Sequence, residues 1–169
     1  MPTFVHIADD RDATSIKRTG LKLPKKSPWQ RDDFPSGVFA MPVVANFLLS
    51  HQWLRELKRR GFKTAIGVYF KLPDSELVWA GIYNQPKEKM KASEAAAQLN
   101  GMQDLGFEVI IPCSIPAASI TAIRALPQHV GWRYFPGAHE RGIFCGCSYC
   151  MRGQFRSRKI RERYEAGEL

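Results

Sequence analysis

Short apolar runs rich in β-branched residues recur along the chain between residues 3 and 124, separated by proline, glycine and charged residues. Runs of this kind, bounded by turn-forming residues, predict β-strands. Six segments fit the description: residues 3–7, 37–41, 64–70, 76–81, 107–112 and 119–124.

Apolar residues at a helical spacing mark a second kind of segment. The clearest covers residues 44–60, where one stripe contains Val44, Phe47, Leu48, His51, Leu54 and Leu57. We interpret His51 on this stripe as a core residue. Shorter helices are expected from residue 13 to a stop at Gly20, over the alanine-rich residues 92–102, and over the basic residues 154–165.

Strands and helices do not alternate strictly, which favours the α+β class over a doubly wound parallel sheet. A chain of 169 residues is long enough for one compact core. We expect that core over residues 1–126, followed by a Cys-rich turn and basic helix over residues 127–169. The polar, proline-containing residues 22–35 form a loop whose length is typical of functional segments.

The charge of the chain is strongly unbalanced, with 25 Lys and Arg against 16 Asp and Glu, a net charge of +9. Such an excess favours polyanionic partners, above all nucleic acid. A basic protein with no nucleic-acid partner stays open as the alternative. The chain has no run of 18 apolar residues and no signal-like N-terminus. We therefore expect no membrane segment and a cytoplasmic location.

Three of the four cysteines fall within six positions, as Cys145-x-Cys147-x-x-Cys150. Clustered thiolates are typical of a zinc site, and a tetrahedral site needs a fourth ligand, for which His139 or Cys113 is available and His129 is a poorer candidate. The spacing lacks a second Cys-x-x-Cys pair. Three free thiols in a tight turn, or less readily an iron–sulfur cluster, are therefore the alternatives.

A dense group of cations follows the cysteines: Arg152, Arg156, Arg158, Lys159 and Arg161. This density of charge binds a phosphate backbone, although an ordinary solvated helix is compatible with it too. Trp29 lies in the loop over residues 22–35, beside Arg31 and two lysines. Aromatic and cationic side chains together hold unstacked bases. We expect both regions to contact nucleic acid.

Three motifs follow one another between residues 3 and 124. They are Phe4-Val-His6-Ile with a helix that ends in Gly20-Leu21, then Gly37-Val-Phe39-Ala, then Glu108-Val-Ile-Ile-Pro112. Their order resembles the ADP-ribosyltransferase superfamily. Within it, the likeness is to the nucleic-acid-modifying toxins of DarT type and to the tRNA 2′-phosphotransferases.

The resemblance implies a small split-sheet fold and the transfer of ADP-ribose from NAD⁺. This chemistry needs a carboxylate that stabilises positive charge on the ribose and orients the acceptor. By resemblance Glu108 is that carboxylate and His6 anchors the ribose. Phe39 or Tyr69 would flank the nicotinamide, and Arg31 would pair with the pyrophosphate. Enzymes of this kind often act as toxins or antiphage effectors, with an antitoxin or regulatory protein as partner.

The chain departs from the family pattern at two positions. Phe39 stands where Tyr or Ser is common and has no hydroxyl group, and Gly106 stands where many members carry Gln or Glu. Glu108 also has a simpler interpretation, as a carboxylate that faces solvent on a half-exposed strand. Two other functions stay open: RNA 2′-phosphate transfer, and nucleic-acid binding without catalysis by a protein that contains a metal.

Overall fold

Two four-stranded antiparallel sheets form the framework of the fold in a computed structural model, which describes residues 1–23, 36–59, 62–83, 85–128 and 131. The first sheet consists of β1 (Thr3–Asp9), β3 (Met41–Pro42), β4 (Ala65–Lys71) and β8 (Ile120–Ala125), in the order β3-β1-β4-β8. The second consists of β2 (Val38–Phe39), β5 (Leu77–Ile82), β6 (Glu88–Lys91) and β7 (Phe107–Ile111), in the order β2-β7-β5-β6.

The described helices are short. They are α1 (Ala13–Thr19), α2 (Phe47–Ser50), α3 (Leu54–Arg59) and α4 (Ala92–Gly101). Gly20 ends α1 with a positive φ of 76°, as expected for a glycine that follows the last turn. None of the helices in the described residues has the length and apolar character that a bilayer crossing requires.

The α+β class predicted from the sequence is confirmed. Strands occur at all six predicted segments, and α1 and α4 begin and end within two residues of the expected bounds. Two expectations are wrong. The segment over residues 37–41 is divided into two strands, and the helix expected over residues 44–60 is broken between α2 and α3. β6 is not predicted from the sequence, because three of its four residues are charged and it lacks the apolar pattern of a strand.

The divided strand connects the two sheets. Val38 and Phe39 pair with Ile111 and Ile110 of β7 in the second sheet. After Ala40 the chain crosses over, and Met41 and Pro42 pair with Val5 and Phe4 of β1 in the first sheet. Residues 38–42 therefore connect the two sheets. On each side they pair with only two residues, so the rest of the edge of β1 and of β7 is not covered by this segment.

One continuous apolar core joins the sheets. Phe4 and Phe70 stack across β1 and β4, with their ring centroids 6.2 Å apart, and both are fully buried. Phe107 of β7 and Leu99 of α4 belong to the same cluster. Each such side chain contributes about 1.5–3 kcal/mol by leaving water. A smaller cluster, which includes Ile7 and Leu54, connects β1 to α3.

The break between α2 and α3 has a physical reason. Asn46 caps α2 by accepting from the backbone N–H groups of Leu48 and Leu49, at 3.0 and 3.4 Å. The helix ends after one turn, and the fully buried Gln52 then directs its side chain to the start of β7. The break thus accompanies hydrogen bonds from Gln52 and Trp53 to the backbone at the start of β7.

Candidate active site

A cavity of about 500 Å³ lies between β1, α1, α3, the crossover segment and the start of β7. His6, Phe39 and Glu108 all line it, although they lie far apart in the sequence. Its volume is in the range of small-molecule sites. The lining also includes Ile7, Asp12, Ser15, Thr19, Lys22 and Trp53.

The cavity lies where both sheets have open edges. β3 pairs with β1 only at Phe4 and Val5, and within the described residues no strand continues that ladder along His6 to Asp9. The neighbouring β2 pairs with β7 only through its two residues, and Ala40 N–H adds a bond to the Val109 carbonyl at 3.1 Å. The sheets are therefore split at this end of the fold.

Along the open edge of β1, the peptide group of Ile7 faces the cavity side. The carbonyl of Thr3 accepts from Val43 N–H on the β3 side, whereas the carbonyl of Pro2 accepts from Leu72 N–H at the end of β4. Peptide groups alternate between the two edges of an antiparallel strand. Ile7, four residues after Thr3, therefore presents an N–H and a C=O on the same edge as Thr3, beyond the end of β3.

His6 is bonded to the crossover segment. Its Nδ1 lies 2.6 Å from the carbonyl oxygen of Phe39. Because a carbonyl oxygen only accepts, Nδ1 carries the hydrogen and Nε2 of the neutral ring is an acceptor. Burial lowers the pKa of His6 below its usual 6.5, which outweighs the opposing effects of the Phe39 carbonyl and of nearby Asp12.

Glu108 is buried, so the interpretation that it faces solvent is wrong. Only 7% of the surface of Glu108 is exposed to solvent. Lys87 Nζ lies 3.1 Å from Glu108 Oε2 and also donates to the carbonyls of Ile82 and Gln85, at 2.7 and 2.8 Å. The result is a buried ion pair beside the cavity. Such a pair seldom adds to stability, because each ion must first lose its water.

Phe39 is 44% exposed although it belongs to the edge of a buried sheet. Its backbone carbonyl binds His6, while its side chain contributes an aromatic surface to the cavity lining. An aromatic ring at the mouth of a cavity can stack on a flat heterocycle.

The α1 side of the cavity is polar. It presents Asp12, Ser15 and Thr19, and Lys22 follows the helix. Thr19 Oγ1 donates to the carbonyl of Ser15 at 3.0 Å. Asp9, at the end of β1, is bound by the Arg11 guanidinium at 2.8 and 3.0 Å, and these bonds hold the pKa of the Asp9 carboxyl well below its usual range.

Tyr69, the alternative to Phe39 as an aromatic wall, is absent from the described lining of the cavity. Val68, the residue beside it in β4, is the partner of His6, so Tyr69 projects from the opposite face of the strand. Its hydroxyl group donates to Nε2 of His51 at 2.9 Å, while Nδ1 of His51 donates to the Phe47 carbonyl. His51 is thus a satisfied core residue, as expected.

Three residues at the site escaped sequence reasoning: Gln52, Trp53 and Lys87. The first two lie within residues 44–60, the segment whose pattern predicts one long helix, and Lys87 lies in a polar segment outside the predicted strands and helices. Trp53 lines the cavity, and its Nε1–H donates to the Phe107 carbonyl at 2.7 Å. No local pattern in the sequence signals these long-range bonds.

The remaining predicted site residues lie outside the described residues. They are Trp29, Arg31, His139, Cys145, Cys147, Cys150, Arg152, Arg156, Arg158, Lys159 and Arg161. The zinc site, the basic helix and almost all of the extension over residues 127–169 therefore stay predictions. Cys113, the other candidate fourth ligand, is an exposed free thiol. Among the described residues, no three His, Cys, Asp or Glu side chains are grouped closely enough to hold a metal ion.

Comparison with known proteins identifies no relative. No protein-family model, no curated protein and no solved structure matches the chain. What the cavity does must therefore be inferred from the chemistry of its own residues.

Proposed function

We propose that this chain is an NAD⁺-dependent ADP-ribosyltransferase-like enzyme that modifies a nucleic acid. One observation carries the proposal: His6, Phe39 and Glu108, three of the residues that the resemblance assigns to the reaction, line a single cavity. They come from β1, β2 and β7, strands of two different sheets. Their convergence on one cavity is not a consequence of proximity in the sequence.

The arrangement of the sheets supports the same proposal. The resemblance implies a split-sheet fold, and the cavity lies between the open edges of β1 and β7. The crossover at Ala40 is what opens both edges at the same end of the fold. Ligand sites formed between two elements are usual for small molecules.

The residues of β1 suit recognition of a nicotinamide riboside. The Ile7 peptide offers one donor and one acceptor on the open edge, which is the complement of a carboxamide group. Nε2 of the neutral His6 ring can accept from a ribose hydroxyl group, because Nδ1–H is already bonded to the Phe39 carbonyl. The Phe39 ring supplies an apolar surface for the pyridine ring.

Glu108 supplies the negative charge that the reaction needs. Transfer breaks the bond between the nicotinamide nitrogen and ribose C1′, leaves the electron pair on nicotinamide, and forms a bond from C1′ to an acceptor that loses a proton. A fixed carboxylate in a site with little water stabilises the positive charge that develops on the ribose. It can also receive the acceptor's proton.

A nucleic acid is the acceptor that the charge of the chain favours. The net charge is +9, and Lys22 adds a cation to the cavity lining. Cations attract a phosphate backbone at long range and raise the rate of encounter. A role as a toxin or antiphage effector, a regulatory partner, and zinc bound by the cysteine cluster belong to this proposal as well.

The test uses NAD⁺ labelled in its adenylate phosphate, with single-stranded DNA and total RNA as separate acceptors. Three proteins are compared: the wild type, Glu108→Gln, and Glu88→Gln as a matched control. Glu88 is an exposed glutamate of β6. We expect label on one polymer with the wild type and the control. Loss of the charge at Glu108 should reduce the rate by about 100-fold or more.

Nicotinamide release is measured in the same mixtures. Label on a polymer that persists in Glu108→Gln would contradict the assignment of Glu108. If none of the mixtures releases nicotinamide while the wild type still binds either polymer, nucleic-acid binding without catalysis becomes the better account.

A further inference from the structure

The peptide that precedes Glu108 is held by side chains where a neighbouring strand would otherwise lie. Gln52 Oε1 accepts from the backbone N–H groups of Gly106 and Phe107, the latter at 3.1 Å. Trp53 Nε1 donates to the Phe107 carbonyl at 2.7 Å. Both backbone groups of Phe107 are therefore bound by two adjacent side chains from the connection between α2 and α3.

These two side chains are themselves firmly placed. Gln52 is fully buried, and its Nε2 donates to the Leu49 carbonyl at 2.8 Å. The Trp53 ring packs against Tyr83 with the ring centroids 5.3 Å apart. Tyr83 in turn donates its backbone N–H to the Gly106 carbonyl at 2.7 Å. The start of β7 is thus fixed by hydrogen bonds from two directions.

The carboxylate of Glu108 is fixed separately. Lys87 reaches it from the turn between β5 and β6, and the Lys87 side chain is only 1% exposed. The ammonium group also donates to the Ile82 and Gln85 carbonyls. These contacts hold the Lys87 ammonium beside Glu108 and connect it to the backbone of the turn.

We propose that Trp53 and Lys87, together with Gln52, are positioning residues for Glu108. Gln52 and Trp53 set the position of the Glu108 backbone, and Lys87 sets the position of its carboxylate relative to the cavity. This inference rests on the proposed function, since it names the residues that give Glu108 its place in the reaction. A displacement of about 1 Å in a catalytic group can cost about 100-fold in rate.

Trp53→Phe tests the backbone contact. Phenylalanine keeps an aromatic ring against Tyr83 but removes the donor to Phe107. Trp79→Phe is the matched control, because Trp79 lies on β5 and is not part of the described cavity lining. We expect kcat to fall by about 10- to 100-fold in Trp53→Phe, with KM for NAD⁺ within about twofold of the wild type. A rise in KM alone would show a substrate contact and overturn the inference.

Lys87→Met tests the carboxylate contact, with Lys89→Met as its matched control. Lys89 is exposed and lies over the Trp79 ring, 6.0 Å from its centroid. The readout is the carboxyl ¹³C signal of Glu108, assigned by its loss in Glu108→Gln. We expect this signal to titrate at a higher pH in Lys87→Met than in the wild type, because an uncompensated buried carboxylate is protonated more readily.

The two readouts separate this inference from the proposed function. The Glu108 carboxyl signal can be followed whether or not the chain transfers ADP-ribose. A shift of that signal in Trp53→Phe but not in Trp79→Phe supports positioning even if no transfer is found, because the substitution of Trp53 changes no charge. An unchanged signal in folded Trp53→Phe overturns the inference even if the wild type is active. Circular dichroism establishes folding, so a Lys87→Met protein that fails to fold leaves Trp53→Phe as the deciding variant.

Discussion

Nδ1 of His6 lies 2.6 Å from the carbonyl oxygen of Phe39, and this bond joins the two sheets at the point where they separate. His6 belongs to β1 and Phe39 to β2. The bond fixes the ring of His6 and, because the oxygen only accepts, also fixes its tautomer. The bond thereby turns a histidine of a strand into an oriented acceptor.

His6 should be neutral at pH 7, with its hydrogen on Nδ1. Burial lowers its pKa below the usual 6.5, so protonation should occur only in more acidic solution. Long-range ¹H–¹⁵N correlation spectra of the imidazole nitrogens measure both properties, and His6→Gln identifies the signals. A ring with its hydrogen on Nε2 would contradict the hydrogen bond to Phe39, and a ring that is half-protonated above pH 6.5 would contradict the effect of burial.

The stability of the fold should decrease as the pH falls from 7.5 to 5.5, in part through His51. Burial lowers the pKa of His51, so below pH 6.5 the unfolded chain binds more protons than the folded one and acid favours unfolding. The stabilisation that the neutral His51 ring contributes is fully present above the pKa of histidine in the unfolded chain, about 6.5. One such group changes the free energy of unfolding by up to about 1.4 kcal/mol per pH unit.

Urea unfolding of the wild type and of His51→Gln measures this effect. The variant lacks the titrating ring, so its free energy of unfolding should depend less steeply on pH over the same range. Any constant loss from the substitution affects the intercept and not the slope. Equal slopes for the two proteins would mean that His51 titrates alike in the folded and unfolded chains.

Gln52→Leu should destabilise the fold strongly. The substitution preserves volume but leaves the buried N–H groups of Gly106 and Phe107 without their acceptor. Each orphaned buried group costs about 1–3 kcal/mol, so a loss on the order of 2–5 kcal/mol is expected in urea unfolding. Gln98→Leu, at an exposed position of α4, is the control and should stay within about 0.5 kcal/mol of the wild type.

Much of the secondary structure follows from local pattern. β4 and β7 are apolar and rich in β-branched residues, and α4 is rich in alanine, so each has one favourable conformation. β6 reads Glu-Lys-Met-Lys and becomes a strand only because β5 offers its edge for pairing. The break at Gln52 is likewise a tertiary effect, because its side chain satisfies backbone groups 54 and 55 residues away.

The candidate site could be predicted only in part. His6, Phe39 and Glu108 were singled out through the order of three motifs, and the structure brings them to one cavity. The sequence does not predict which strands pair, because the edges that stay open depend on the crossover at Ala40. Tyr69, an equally plausible aromatic residue in sequence, falls on the other face of β4, because the register between β1 and β4 pairs His6 with Val68.

Gly20 should tolerate no side chain, although it lies at the end of a surface helix. Its φ is 76° and its ψ is −170°, a conformation that is almost exclusive to glycine. A Cβ atom there would lie 2.1 Å from the Ile115 carbonyl oxygen, which accepts from the N–H of Leu21. The backbone at Gly20 and the backbone at Ile115 cannot move apart without breaking the bridge between Leu21 and Ile115.

Gly20→Ala should therefore lower the free energy of unfolding by about 1–3 kcal/mol from backbone strain alone, and by more if the bridge breaks. Gly101→Ala is the matched control. That glycine is the last residue of α4, and a Cβ atom there meets nothing within 4 Å. Alanine in a helix should stabilise by up to about 1 kcal/mol. Urea unfolding would confirm the prediction if the free energy of unfolding falls in Gly20→Ala and rises in Gly101→Ala. An unchanged free energy of unfolding in Gly20→Ala would mean that the end of α1 is not held against Ile115.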